Sequence, residues 1–185
     1  MRRRCTLYRN RVPTPDEFPG SGPVSVDKVL ADQSLLGIRG GSAGEPGWVA
    51  IAWSDPDDPS PEGDGSWLVD TFVAWGKPGR SAVKQVSLVV RLEGSDAEGF
   101  AERYRRHALV AQAHHGMARY VQNPVIDGPP GVDAVSELCF ASEGSWIDDF
   151  YLLADSAEVV RKDVRGFIDL RSTSSALVAE KVLRP

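Results

Sequence analysis

The chain has 185 residues and a net charge of −5, with 42% hydrophobic and 25% charged residues. These proportions are ordinary for a soluble globular protein. They argue against a nucleic-acid partner, which usually requires a basic face, and the short run Arg2–Arg4 is interpreted as a solvated tail. No segment is long and apolar enough to span a membrane. A chain of this length buries roughly 70% of its unfolded surface, so it needs no disulfide or metal to fold.

The two cysteines, Cys5 and Cys139, lie far apart in sequence. This usage is typical of reduced thiols in a cytoplasmic protein and not of a disulfide framework. The basic start is not followed by an apolar run, so no signal peptide is expected. We therefore expect a cytoplasmic protein without a membrane partner.

The first half of the chain, residues 1–81, gives the weaker structural signals. Gly/Pro-rich and acidic stretches punctuate it and predict loops at 13–24 and 54–66. The run 67–75 is apolar but of ambiguous type, and 76–81 reads as a linker that forms the domain boundary. The remaining predictions are a strand at 5–12, a helix at 25–33, and strands at 35–39 and 47–54.

The second half, residues 82–185, is easier to interpret. Hydrophobic periodicity and turn residues predict six elements in the order βαββαβ, which is the ferredoxin-like arrangement. Their predicted ranges are 83–92, 95–115, 117–126, 132–141, 147–167 and 176–183. One face of the resulting sheet would be covered by the two helices.

The helix predicted at 95–115 carries the most informative pattern. Ser95 and Glu98 are spaced as a capping box at its start, and Gly116 is expected to end it as a left-handed cap. Its apolar face places one histidine among aromatic residues. That face comprises Phe100, Tyr104, His107 and Ala111.

Three short motifs in the second half resemble those of the EthD family, part of the dimeric α+β-barrel (ferredoxin-like) superfamily. They are the Tyr104-to-His107 spacing, the strand 119–123 reading Arg-Tyr-Val-Gln-Asn, and the segment 131–138. The resemblance covers about residues 83–183. It departs from the family pattern at Cys139, where tryptophan is usual, and at Leu109, where proline is frequent.

This resemblance implies an α+β fold of the dimeric α+β-barrel type, in which a second sheet covers the open face of the first. The first half repeats the order strand, helix, strand, strand faintly. Two interpretations of residues 1–81 stay open: a degenerate tandem repeat that pairs with the second half inside one chain, or an unrelated extension. The protein is accordingly expected to form a homodimer or an intrachain pseudo-dimer.

The resemblance also implies a set of site residues. His107 would be the general acid/base, because a histidine titrates near neutral pH, and Tyr104 and Tyr120 would assist it. Asn123, Phe100, Trp146, Phe150 and Tyr151 would contact the substrate. The alternative is that His107 is a structural histidine, that Asn123 fixes the strand end, and that the aromatics are core residues.

Other polar residues have simpler interpretations. His114 and His115 at the predicted helix end are interpreted as dipole-stabilising caps. Asp133 and Glu137 are expected to be exposed or paired with Arg119. No histidine, cysteine or carboxylate spacing indicates a metal, and no nucleotide motif is present, so neither a metal nor another cofactor is expected.

The function implied by the resemblance is a cofactor-independent enzyme of secondary metabolism. It would act on a hydrophobic, oxygenated or aromatic small molecule as a polyketide-type cyclase, monooxygenase or isomerase, or in a degradation pathway. The alternative is a non-catalytic accessory protein that binds such a ligand in the cavity expected between helix and sheet, where His107 would point. Whether the protein is an enzyme is left open by the sequence.

Overall fold

The computed structural model describes residues 1–38, 46–59, 61–77, 79 and 81–185. Within these ranges the chain forms nine β-strands, four α-helices and a short 3-10 helix at Pro15–Glu17. The elements are β1 Arg2–Tyr8, β2 Val24–Val29, α1 Ser34–Gly37, β3 Ala50–Ser54, β4 Gly65–Asp70, β5 Phe72–Trp75, β6 Val83–Val89, α2 Ala97–His114, β7 Arg119–Asp127, β8 Ala134–Phe140, α3 Glu143–Asp148, α4 Ser156–Val164 and β9 Ser174–Arg184.

Eight of the strands close into an antiparallel barrel. Their order is β4-β1-β3-β2-β9-β6-β8-β7, and pairing of β7 with β4 completes the circle. The remaining strand, β5, lies outside the closed barrel. It pairs with the first part of β7, whereas β4 pairs with the last part of β7. The protein is thus a mixed α+β structure in which closure removes the free sheet edges of eight strands.

The two halves of the barrel share one strand order. Counted in chain order, the first four strands are arranged fourth, first, third, second. The last four strands, β6 to β9, are arranged in the same way. The halves meet along two seams, β2 with β9 and β4 with β7.

The principal apolar core fills the barrel interior. Side chains at alternate positions of a strand face the same side of the sheet, and such alternate residues from six strands form one buried cluster. Its members are Cys5, Leu7, Trp48, Ile51, Trp53, Trp67, Val69, Val86, Leu88, Val135, Ala176 and Val178.

A buried ion cluster lies at the same layer as this core. The ammonium of Lys84 on β6 is 2.9 Å from each carboxylate oxygen of Asp27 on β2 and 2.8 Å from Glu137 Oε2 on β8. Glu180 on β9 approaches it at 3.4 Å. Burial acts to lower the pKa of Lys84, but Glu137 and Asp27 outweigh it and raise that pKa. One cation therefore joins carboxylates from three other strands.

Two predicted elements of the first half are wrong. The segment 25–33 was expected to be helical, but most of it belongs to β2, which pairs with β3 and β9. The helical spacing misled because the charged Asp27 points into the barrel and masks the strand alternation. Of 35–39, expected to be a strand, residues 35–37 belong to helix α1 and Ile38 is its C-cap, whereas Arg39 lies outside the described residues.

The predicted helix at 147–167 is interrupted. α3 ends at Asp148 and α4 begins at Ser156, because the intervening backbone bonds to the end of α2 instead of continuing a helix. Gly116 N donates to Asp149 O at 2.9 Å, and Leu152 N donates to His114 O at 3.1 Å. These bonds place α4 against α2.

The ends of α2 also differ from the predicted ones. Asp96, not Ser95, is the N-cap, and its carboxylate accepts the Gly99 amide at 2.7 Å. At the other end the positive φ expected for Gly116 is absent. Glycine is still needed there, because a Cβ would lie 2.4 Å from Asp149 O.

The expectations for two carboxylates and for the N-terminal arginine run are wrong as well. Glu137 is buried and bound to Lys84, and Asp133 pairs with Arg91 at 2.5 Å. The Arg2–Arg4 run is not a solvated tail, because it begins β1.

Lys84→Met tests the ion cluster. The change leaves buried carboxylates without their cation, so we expect the free energy of unfolding to fall by about 3–5 kcal/mol, measured by denaturant titration. Lys181→Met, at an exposed position of β9, should change it by no more than about 0.5 kcal/mol. Equal, small effects in the two variants would contradict the role of the cluster.

Candidate functional site

His107 lies on the buried face of α2, as its spacing predicts. The helix presents Phe100, Tyr104 and His107 to a layer closed by the outer face of the sheet and by α4. The ring of His107 is 5.6 Å from that of Phe167 and meets Tyr120 edge-on at 6.3 Å. The imidazole therefore sits in an aromatic environment and is only 6% exposed.

The partner of this histidine is a carboxylate on α4. His107 Nδ1 lies 2.7 Å from Asp163 Oδ2, and Arg103 donates to the other oxygen of Asp163. An ionised carboxylate can only accept, so Nδ1 carries the proton and Nε2 presents a lone pair. No described residue is hydrogen-bonded to Nε2.

The electrostatics of the pair suit a neutral imidazole. Burial lowers the pKa of His107 below its usual 6.5, and the bond to Asp163 opposes this effect only in part. Burial acts to raise the pKa of Asp163, but Arg103 and His107 outweigh it and lower that pKa. At neutral pH the arrangement is a neutral histidine held by an anionic aspartate, as in a general-base dyad.

A group of buried hydroxyls and one amide lies beside the dyad. Tyr104 on α2 hydrogen-bonds Ser136 on β8. Gln122 Nε2 donates to the Tyr104 backbone oxygen at 2.6 Å and to the Tyr120 hydroxyl at 3.3 Å. Burial raises the pKa of both tyrosines, so they are neutral phenols that can donate hydrogen bonds.

Gln122 has an unused acceptor. Its Oε1 is buried and has no hydrogen-bond partner. Exchanging the amide ends would turn this oxygen towards the Tyr104 carbonyl, which cannot donate. An unsatisfied buried acceptor costs about 1–3 kcal/mol, so this oxygen is a destabilising feature of the layer beside the dyad.

Asn123 lies apart from the dyad. Strand alternation directs Tyr120 and Gln122 towards the helices but turns Asn123 to the barrel interior. There Asn123 Oδ1 accepts from Thr71 at 2.7 Å, and Nδ2 donates to Glu137 at 3.1 Å. Its contacts are those of the buried ion cluster.

Trp146, Phe150 and Tyr151 form a third group around α3. Phe150 stacks on Phe140 at 5.4 Å, and the indole of Trp146 donates to Leu35 O at 3.0 Å. The predicted site residues are therefore divided among three places, of which one unites Phe100, Tyr104, His107 and Tyr120.

The two histidines that follow His107 lie at the C-terminal end of α2, where His114 is in the last turn and His115 is the C-cap residue. His115 Nδ1 donates to Phe150 O at 2.7 Å, which fixes its tautomer because a carbonyl only accepts. His114 Nδ1 lies 2.9 Å from Ser156 Oγ.

Sequence reasoning missed Asp163, Gln122 and Ser136. Asp163 falls within the predicted helix 147–167, at the edge of its apolar face, and no motif relates it to His107. Gln122 stands inside the motif Arg-Tyr-Val-Gln-Asn, and its spacing of two from Tyr120 would have placed both on one strand face.

The cavities at the barrel ends and beside the loop 124–133 do not include His107, Tyr104 or Tyr120 among their lining residues. In the described part of the chain, no three His, Cys, Asp or Glu side chains are grouped so as to hold a metal ion. None of the described helices has both the length and the apolar character needed to cross a bilayer.

Several solved structures resemble this one. The structure resembles an anthrone oxidase-like protein with a TM-score of 0.59 and 8% sequence identity, over 98% of this chain and 93% of that one. The likeness is one of fold. A "putative monooxygenase" from Lactobacillus acidophilus NCFM aligns with a TM-score of 0.48 at 8% identity, over 98% of this chain and 94% of that chain. No protein-family model and no curated protein sequence matches the chain.

His115 predicts a pH dependence of stability. Burial lowers its pKa from 6.5 to about 4, so the unfolded chain binds the proton more readily. The contribution of His115 to the free energy of unfolding should be fully present above pH 6.5. It should fall by roughly 3 kcal/mol as the pH drops towards 4.

Denaturant titrations at several pH values measure this loss, and His115→Gln should remove most of it. His114→Gln, which retains His115, should keep the slope. A wild-type stability that is flat between pH 6.5 and 4.5 would contradict the prediction.

Proposed function

We propose that the protein is an acid–base enzyme that acts on a hydrophobic, oxygenated or aromatic small molecule without a bound cofactor. The observation that supports this proposal is the contact between His107 Nδ1 and Asp163 Oδ2 at 2.7 Å. The Nε2 of His107 has no hydrogen-bond partner among the described residues. This is the geometry of a base whose tautomer is fixed by its partner.

In the proposed reaction, His107 Nε2 removes a proton from a phenol or from a carbon whose anion is conjugated with a carbonyl. Asp163, kept ionised by Arg103, stabilises the imidazolium that forms. Tyr120 lies edge-on to the imidazole, and its neutral hydroxyl would donate to the oxygen on which charge develops. Gln122 Oε1 would accept from a substrate hydroxyl. Oxygenation, cyclisation or isomerisation of the anion then depends on the substrate.

We further infer that the chain is a single-chain relative of the dimeric α+β-barrel proteins, with two ferredoxin-like halves. The shared strand order of residues 1–81 and 82–185 supports a degenerate repeat over an unrelated extension. In this interpretation the intrachain seams replace the interface of a homodimer. The EthD-like motifs lie in the second half, which contains the helices α2, α3 and α4.

Anthrone is a suitable first substrate because its C10 methylene is acidic: the anion left by proton removal is delocalised through the aromatic rings onto the carbonyl oxygen. One anthrone and one dioxygen give one anthraquinone and one water, which is followed by absorbance. Removing the base should abolish the enzymic rate, so His107→Gln should lower kcat by about 10²–10⁴-fold.

His114→Gln, which leaves the dyad intact, is the control, and thermal melting verifies the fold of both variants. Equal rates in wild type and His107→Gln would reject the catalytic role. Saturable anthrone binding without any acceleration over buffer would favour the accessory alternative instead.

The pH profile distinguishes catalysis from a structural role. The kcat/KM of the wild type should rise with pH through an inflection below 6.5, because burial lowers the pKa of His107. Asp163→Asn removes the charge that supports the imidazolium, so the inflection should move to lower pH and kcat should fall.

Asp57→Asn, which replaces an exposed carboxylate in the loop after β3, in the other half of the chain, should leave the inflection in place. A lower rate with an unmoved inflection in Asp163→Asn would mean that Asp163 only supports the fold.

A further inference from the structure

A cavity occupies one end of the barrel, on the opposite side of the sheet from the dyad. Its volume is about 300 Å³. The inner wall is formed by Leu7, Leu88, Trp48 and Trp67, which all belong to the interior core cluster. An eight-stranded barrel is just wide enough to be filled by side chains or to hold one small ligand. Here core side chains fill the interior but leave the space at this end of the barrel open.

The two tryptophans are fixed by hydrogen bonds. Trp48 Nε1 donates to Ser174 Oγ at 3.0 Å, and Trp67 Nε1 donates to Pro129 O at 2.9 Å. Both indole N–H groups are thus satisfied by the protein. The ring surfaces that line the cavity therefore require no polar partner and are held in a preformed position.

Gly128 contributes to the position of Trp67. Its φ of +145° is one that glycine adopts readily, and a Cβ there would lie 2.6 Å from Cδ1 of Trp67. The loop that carries Pro129 can therefore approach the indole closely enough to accept its N–H.

The polar side chains of the cavity lie at its rim. Asp64 Oδ2 accepts the Arg9 amide at 2.7 Å, and Ser172 donates to Asp169 at 2.7 Å. Ser174, already bound to Trp48, donates to Pro46 O at 3.0 Å. Arg9, which also lines the cavity, donates from Nη1 to Gly47 O at 3.2 Å. These groups are paired with the protein, so they do not call for a charged ligand.

We propose that this barrel mouth, defined by Leu7, Trp48, Trp67, Leu88 and Val132, binds a small, planar, uncharged aromatic molecule. Aromatic rings offer flat apolar surface and prefer offset or edge-on contact with indoles. Mouths of barrels with apolar walls and a few polar rim groups are frequent ligand sites. The volume is at the lower end for such sites, which limits the ligand to one or two rings.

The test uses 1-naphthol and its saturated counterpart 1-decalol as probes. Titration of 15N-labelled full-length protein with 1-naphthol should shift the indole N–H signals of Trp48 and Trp67 saturably. The signals of Trp53, Trp75 and Trp146 should move little. Because 1-decalol lacks the planar ring, it should bind about three- to tenfold more weakly.

Val132→Phe places a ring in the mouth and should weaken 1-naphthol binding at least about tenfold, as expected when a ligand must displace a filling side chain. Ser172→Phe, at the exposed rim, tests the same point if the first variant unfolds. Val73→Phe, on β5 and outside the cavity, is the matched control and should bind as the wild type does.

Three results would overturn the proposal: no saturable shift up to the solubility limit of 1-naphthol, shifts confined to the other three indoles, or unchanged binding in both filling variants. Tighter binding of 1-decalol would refute the aromatic preference. The site is independent of the proposed dyad, so His107→Gln should leave 1-naphthol binding unchanged.

Discussion

The contact between Lys84 and its carboxylates is the interaction on which the barrel depends. A buried ammonium is tolerated only where opposite charges and hydrogen bonds replace its water. Lys84 on β6 obtains them from Asp27 on β2, Glu137 on β8 and Glu180 on β9. Burial by itself would raise the pKa of Glu137, but Lys84 and Arg3 lower it to about 2.

The position of these charges has a consequence for the way the halves combine. Asp27 belongs to the first half of the chain and Lys84 to the second. A shift of one residue at the β2–β9 seam would turn Asp27 to the other face of the sheet and leave Lys84 partly unpaired. We infer that the ion cluster specifies the register in which the halves close. Arg3 extends the same network through Glu137, from which it lies 3.5 Å away. Its guanidinium also lies 4.3 Å from the ring centroid of Trp53, whose indole N–H donates to Asp27.

Closure of the barrel separates two environments. Outside the sheet, α2 and α4 enclose a layer that holds the His107–Asp163 pair and the hydrogen bond from Gln122 to Tyr104. Inside, the apolar core ends at the mouth between Trp48 and Trp67. Strand alternation decides which side each residue serves, so Gln122 and Asn123, adjacent in sequence, belong to different sites.

The sequence by itself determined much of the second half. Helical spacing on α2 placed Phe100, Tyr104 and His107 on one buried face because the helix has a continuous apolar stripe. The strands around Tyr120 and Val135 were recognisable from β-branched and apolar residues between turns. These signals are local, and the folded chain forms the helix and the two strands where they predict them.

Only the tertiary structure decided the rest, because it depends on contacts between distant segments. Asp27 faces the barrel interior and disguises a strand as a helix, since its partner Lys84 is 57 residues away. The pairing of His107 with Asp163, 56 residues apart, follows from the interrupted helix that sets α4 against α2. Bonds from His115 and Gly116 to the intervening segment create that interruption, and no pattern within the segment encodes them.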